Sequence, residues 1–197
     1  MYDVAVRDVT SRWQAHRGSV RALCGIRSAS LGLLLASVGD DAALRLWDPR
    51  SGGQPRPRRA HSRIVRAVCP VPSPDTDLIA IGGSDGTIRL WDPDPGDDAQ
   101  TCVLEGHTGW VRALTPVALA DRTLLISASG DRTVRLWDPE ARICLAVIPV
   151  QRPATSLAVS SRGLNVCVGS EGGLVALRLN PYLFQPPLRA TGGQPSR

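Results

Sequence analysis

Apolar and polar side chains alternate in short runs along the chain. The clearest run, Thr133-Val134-Arg135-Leu136-Trp137, predicts a half-buried strand, because a two-residue period sends successive side chains to opposite faces of a sheet. Leu44–Trp47 and Ile88–Trp91 repeat the pattern, and Asp-Pro follows the strand or its closing aspartate each time (Asp48-Pro49, Asp92-Pro93, Asp138-Pro139). Proline cannot donate to a ladder, so each strand has a fixed stop. The longer stretches Gly39–Asp48, Gly83–Asp92 and Ser127–Asp138 are near copies, and Trp47, Trp91 and Trp137 stand 44 and 46 residues apart. That spacing matches, within a residue or so, the period of roughly 40–45 residues at which four short strands make one structural unit. The chain is a repeat array.

Three further strands belong with each copy. The first unit has Val20–Cys24, Leu33–Ser37 and Ala43–Trp47, but its fourth-strand region, Ser51–Arg59, is rich in Gly, Pro and Arg without alternation, which predicts a frayed or absent strand. The second has Ile64–Cys69, Leu78–Ile81, Thr87–Trp91 and Thr101–Leu104. The third has Trp110–Thr115, Leu124–Ala128, Thr133–Trp137 and Ile143–Val147, and the fourth has Thr155–Val159, Asn165–Val168 and Leu174–Leu177. Ahead of them, Val4-Ala5-Val6 and Val9–Trp13 read as the last strands of an incomplete unit over 1–15. Beyond Asn180-Pro181 only Tyr182–Phe184 could pair, and 185–197 reads as a mobile tail.

The Trp-Asp dipeptides, with Gly106-His107 about thirty residues ahead of Trp137, resemble the WD40 repeat family. The resemblance implies an all-β propeller of about four four-stranded blades over 16–60, 61–105, 106–148 and a degenerate 149–184, partial or open. It also implies a hydrogen-bonded His-Ser-Asp-Trp tetrad inside each blade. The first blade has all four members, His16, Ser37, Asp41 and Trp47, and so does the third, with His107, Ser127, Asp131 and Trp137; both place Ser ten and Asp six residues before Trp. The second keeps His61, Asp85 and Trp91 but has Ile81 in place of serine. Aligning Gly169-Ser170-Glu171-Gly172 with Gly83-Ser84-Asp85-Gly86 puts Cys167 at the serine, Glu171 at the aspartate and Leu177 at the tryptophan of the fourth.

Composition narrows this picture. The 197 residues hold about four and a half units, at the low end of the range of roughly four to eight blades found in closed rings, so an open ring is expected. Exposed strand edges then invite self-association. All 23 basic residues are arginine, a bias that reads as a high-GC genome. Cys24, Cys69, Cys102, Cys144 and Cys167 fall in predicted strands with no Cys-x-x-Cys pair, and read as small buried hydrophobes in a reducing compartment. There is no N-terminal signal pattern and no apolar run near the roughly 20 residues of a membrane span, so a soluble cytoplasmic protein is expected.

Candidate chemistry is sparse. Gly82-Gly83-Ser84-Asp85-Gly86 satisfies Gly-x-Ser-x-Gly, but a nucleophile elbow needs a strand-to-helix turn and Ser84 falls between two strands. No catalytic residue is therefore assigned. The three histidines occupy equivalent positions in successive blades and cannot converge on one metal. Asp92, Asp94, Asp97 and Asp98 around Gly96 resemble a calcium loop, yet Val103 stands where a bidentate acid would be needed, so neither metal nor cofactor is expected. Arg50, Arg56, Arg58, Arg59, Arg63 and Arg66 form a run without an acid, but no aromatic residue interleaves for base stacking, which argues against nucleic acid.

More specific is Val-Arg-Ala, four residues after each histidine, at Arg21, Arg66 and Arg112. Innermost strands line a propeller's channel, and in the family that this chain resembles the corresponding face commonly receives peptides. These arginines, with Trp110, are candidates for binding an acidic or phosphorylated peptide, unless acids such as Asp40 pair with them. The sequence thus predicts a non-catalytic protein-interaction scaffold, or alternatively a sensor or regulatory piece of a larger multidomain protein; a nucleic-acid-binding module ranks third.

Overall fold

The computed structural model describes residues 14–50, 58–73, 76–94, 100–119, 122–160 and 165–180. Every regular element among them is a β-strand, and the strands form four antiparallel sheets in chain order. The first sheet is β1 (Val20–Ser28), β2 (Gly32–Gly39), β3 (Ala43–Trp47) and β4 (Arg58–Arg59). The second is β5 (Val65–Val71), β6 (Leu78–Gly83), β7 (Ile88–Trp91) and β8 (Gln100–Leu104); the third is β9 (Val111–Ala118), β10 (Thr123–Ser129), β11 (Thr133–Asp138) and β12 (Ile143–Pro149). The fourth has only β13 (Ala154–Val159), β14 (Asn165–Ser170) and β15 (Gly173–Arg178).

Of the first sheet's outer-strand region, 51–57 lies outside the described residues; within them β4 pairs through Ala43–Arg59 and Leu44–Arg58. The expected strands at 4–6, 9–13 and 182–184, the Asp97–Asp98 stretch, Arg56 and the tail lie outside the described residues.

The innermost strands β1, β5, β9 and β13 are neighbours in that order, so the sheets fan out from one axis as blades. Each junction has its own apolar core. Ile26, Leu34, Ala36, Val38 and Leu44 of the first blade meet Val68, Ile79, Ile81 and Trp91 of the second. Ala80, Ile88, Leu90 and Leu104 of the second meet Val111, Leu125 and Trp137 of the third. Val117, Leu124, Ile126, Val134 and Leu136 of the third meet Ala154, Val166 and Val168 of the fourth. Among the described residues no such core joins the fourth blade to the first, and β15 pairs with β14 alone, so the array is open.

A polar clasp reinforces the first junction. Asp94 accepts hydrogen bonds from Ser28 Oγ (2.6 Å), the backbone N–H groups of Ala29 (3.2 Å) and Ser30 (2.9 Å), the Ser30 hydroxyl, and Thr76 Oγ1 (3.0 Å). The Ser28 and Ser30 hydroxyls hold its carboxyl well below the usual carboxylate range. This acid, one of those that resemble a calcium loop in the sequence, is therefore bound into the first blade's hairpin, which also leaves its oxygens committed.

Two expectations need correction. In the fourth blade Leu157 pairs with Val168, as Leu23 pairs with Ser37 and Leu114 with Ser127, so Val168 and not Cys167 holds the serine position. The cause is a shorter turn: Ser170 pairs directly with Gly173, leaving a two-residue loop, and Glu171 has no counterpart to the aspartate. Leu177, opposite Val166, does hold the tryptophan position. Cys167 accordingly points away from the third blade and is exposed, so it is not a buried hydrophobe; Cys24 and Cys144 are half-buried, and only Cys69 and Cys102 are fully covered.

Candidate functional site at the channel mouth

The tetrads determine what the turn face of each blade presents. In the third blade Trp137 Nε1–H donates to Ser127 Oγ (2.8 Å), the serine hydroxyl donates to His107 Nε2 (2.6 Å), and His107 Nδ1–H donates to Asp131 Oδ2 (2.8 Å). This chain fixes the neutral tautomer, because Nε2 must accept while Nδ1 faces a carboxylate. The first blade repeats it from Trp47 to Ser37 (2.9 Å), to His16 (2.9 Å), to Asp41 (2.7 Å). Every buried polar group in these two chains has its partner.

The second blade is incomplete, as Ile81 predicts. His61 Nδ1 reaches Asp85 (3.0 Å), but among the described residues its Nε2 meets only the Ile81 carbonyl oxygen at 3.4 Å, and Trp91 Nε1 is buried with no hydrogen-bond partner there. A threonine two residues after the aspartate strengthens the second and third turns through backbone N–H and hydroxyl: Thr87 on Asp85, Thr133 on Asp131. The Asp-x-Thr spacing was visible in the sequence and missing from the tetrad pattern. Ser84 lies in the turn between β6 and β7, with its N–H on the Ile64 carbonyl and no helix beneath it.

These contacts set a pH response. Burial lowers the His107 and His61 pKa values below the ordinary 6.5 and outweighs the attraction of Asp131 and Asp85. Burial alone would raise the Asp131 carboxyl, but hydrogen bonds from Thr133 and His107 bring it down to about 2. Below 6.5 the unfolded chain therefore binds protons that the buried imidazoles refuse, and between 3.8 and about 2 it binds one that Asp131 refuses. Both effects remove stability as pH falls. Urea midpoints should decline from pH 7 toward pH 5 and again below pH 4; a midpoint that rises on acidification would contradict this.

The three Val-Arg-Ala arginines occupy the channel end of β1, β5 and β9, and the structure separates them. Arg21 forms a bidentate pair with Asp40, Nε to Oδ1 at 2.6 Å and NH2 to Oδ2 at 2.9 Å, so its charge is answered within the first blade. Arg66 and Arg112 have no carboxylate partner among the described residues, and the Nε of each is buried without a hydrogen bond. Both turn to one indole instead: the Arg66 guanidinium carbon sits 4.3 Å from the Trp110 ring centre and that of Arg112 sits 6.0 Å away. Burial, then the nearby charges of Arg21 and Arg112, lower the Arg66 pKa. In the fourth blade Thr155 takes the arginine's place and its hydroxyl donates to the Gly169 carbonyl, so the basic arc ends there.

A cleft of about 830 Å³ opens beside Trp110 between the turns of the first two blades, lined by Arg17, Asp41, Arg45, Ser62 and Arg63 among others. Its acids are engaged: Asp41 with His16 and Arg45, Asp40 with Arg21. Of the basic run expected around Arg50–Arg66, Arg58 donates to the Asp92 carbonyl at 3.1 Å and Arg66 stacks on Trp110, so these two do not form a free basic strip. Among the described residues no three potential ligands cluster as a metal site, and no helix is long and apolar enough to cross a membrane.

Comparison with known proteins follows the same repeats. The family model "WD domain, G-beta repeat" matches residues 7–48, 54–92 and 99–138, more than half of the chain, each match ending on a Trp-Asp dipeptide. The chain is 35% identical over 71 residues to the APC/C activator protein CDC20 of Saccharomyces cerevisiae, a match covering 34% of this chain and 11% of that protein. It superposes on the crystal structure of the WD40 beta propeller domain of Doa1 with a TM-score of 0.68 at 25% identity, covering 83% of this chain and 52% of that one. It thus spans about half the length of that propeller. With its repeats, tetrads and fan of antiparallel blades, the chain belongs to the WD40 repeat family.

Proposed function

We propose that this protein is a non-catalytic interaction scaffold whose Arg66–Trp110–Arg112 cluster takes an acidic or phosphorylated peptide segment at the channel mouth. WD40 propellers generally serve as protein-interaction scaffolds. The observation that carries the finer reading is that two guanidinium groups stack on one half-exposed indole without a salt bridge to any carboxylate among the described residues, while the third arginine of the arc pairs with its own aspartate, Asp40. Arginine's planar fork suits carboxylate and phosphate oxygens, and the stacking against Trp110 holds that fork in place before a ligand arrives. The adjoining cleft, with Arg17 and Arg63 at its border, gives the rest of a peptide somewhere to lie. The half-buried and buried cysteines suit a reducing compartment such as the cytoplasm.

Acidic and phosphothreonine peptide arrays titrated at low and moderate salt test this directly. Binding should weaken with salt, and an Arg66→Ala/Arg112→Ala variant should lose about tenfold or more in affinity. Unchanged affinity in the variant would leave the arginines as structural groups. A second reading, a regulatory piece of a larger protein, is favoured by the short share of CDC20 and of the Doa1 propeller that the chain spans.

A further inference from the structure

We propose that Asp40 sets which anions the channel mouth accepts: by holding Arg21 it confines the site to Arg66 and Arg112, and so to ligands with one anionic group there rather than two. The inference rests on the peptide reading of that cluster and adds the residue that limits it.

One turn position occurs in three versions. In each of the first three blades the residue just before the tetrad aspartate donates its backbone N–H to the carbonyl two residues ahead of the arginine: Asp40 to Ser19 (3.1 Å), Ser84 to Ile64 (2.9 Å) and Gly130 to Trp110 (2.9 Å). The shared bond sets that residue beside the arginine. In the first blade it is an acid, and its carboxylate takes Arg21 Nε at 2.6 Å and Nη2 at 2.9 Å, with the Ser19 N–H at 3.3 Å. In the third blade it is glycine, yet a Cβ at Gly130 would stand 3.5 Å from Arg112 Nε and 3.8 Å from its Nη2. Arg112 therefore lies over its turn as Arg21 lies over Asp40, but the turn offers it no carboxylate. The second blade has an uncharged serine there, and Arg66 has no carboxylate partner among the described residues. One residue per blade decides whether the arginine is neutralised.

The charge of Asp40 also reaches the next blade. Burial, then Arg21 and Arg112, lower the Arg66 pKa, and Asp40 opposes them, so an anion arriving at Arg66 meets the repulsion of this carboxylate. Asp40, Ser84 and Trp110 border the same cleft. The Arg21–Asp40 pair is open to solvent, with the two side chains 38% and 25% exposed, so a ligand in the cleft can reach a freed Arg21. Two guanidinium groups on one indole suit a single anion, and Arg21, one blade away, would add a place for a second.

Fluorescence anisotropy on the full chain, with labelled synthetic peptides carrying one or two phosphothreonines, tests this. The native chain should bind the two peptides alike. Asp40→Asn should tighten the doubly phosphorylated peptide about fivefold and the singly phosphorylated one less. Gly130→Asp, which gives the third blade the Asp-Asp turn of the first, should weaken both about tenfold, whereas Gly130→Asn should bind as the native chain does. Glu140→Gln, an exposed acid beyond the opposite end of β11, controls for net charge and should change neither. An Asp40→Asn variant no tighter than native, a gain matched by Glu140→Gln, or a Gly130→Asp variant equal to Gly130→Asn would overturn the inference. If native binding is lost in Arg66→Ala/Arg112→Ala but indifferent to Asp40→Asn, the peptide reading stands and this inference falls. Binding that appears only in Asp40→Asn would reject the peptide reading for the native chain and keep Asp40 as the barrier, and no binding in either would overturn both.

Discussion

Gly86→Ala is expected to lower the unfolding free energy by about 3 kcal/mol, although it adds only one methyl group, at a buried turn position. Two contributions are separable because the repeat provides its own controls. Gly86 has φ +84°, and the equivalent positions in the first and third blades hold Ala42 at φ 59° and Arg132 at φ 67°. The left-handed conformation alone is thus tolerated by side chains at about 1 kcal/mol. What differs is the neighbour. A Cβ on Gly86 would stand 2.5 Å from the His107 carbonyl oxygen, backbone of the third blade that cannot rotate away. Relief requires the second turn and the third blade's histidine loop to move apart, and that loop anchors the tetrad. Denaturant unfolding of Gly86→Ala beside Ala42→Gly would measure this; a cost no larger than the ordinary left-handed penalty would mean that the two turns are not in contact.

Asp131→Ala should cost about 2–3 kcal/mol and Asp85→Ala distinctly less, even though each carboxylate receives several hydrogen bonds. Removing Asp131 leaves the His107 Nδ1–H, the Thr108 N–H and the Thr133 N–H without an acceptor, and loosens an imidazole on which Ser127 and Trp137 depend. Removing Asp85 loosens His61, but nothing follows it: Nε2 meets a carbonyl oxygen and Trp91 Nε1 is already alone. Asp131 is also the better buried of the two. Thermal melts of both variants would decide, and an equal or reversed order would show that the network acts pairwise rather than as a chain.

The sequence carried the fold at the positions where pattern and geometry have the same period. The Trp-Asp-Pro endings, the ten-residue Ser-to-Trp offset and the loss at Ile81 all reappear as ladders, hydrogen bonds and a solitary indole. In the fourth blade the turn glycines align one residue out of register with β14, so Val168 and not Cys167 stands at the serine position. A two-residue loop in place of three moves every β14 side chain to the other face, and only the pairing register reports that. The arginine arc was legible as a repeated tripeptide. Its division into one paired and two stacked members depends on which acid and which aromatic the folded blades bring near, Asp40 from the first hairpin and Trp110 from the third blade. The Asp94 clasp joins residues 64–66 positions apart and left no local signal.

The central claim, recognition of an anionic peptide at the Trp110 end of the channel, is tested most directly by the indole N–H signals in a proton–nitrogen correlation spectrum. A pool of glutamate-rich phosphothreonine peptides added to the labelled protein should move the Trp110 signal and leave those of Trp47 and Trp137, fixed on Ser37 and Ser127, in place. A Trp110 signal that stays still while the peptides bind elsewhere, or that moves equally in the Arg66→Ala/Arg112→Ala variant, would contradict it.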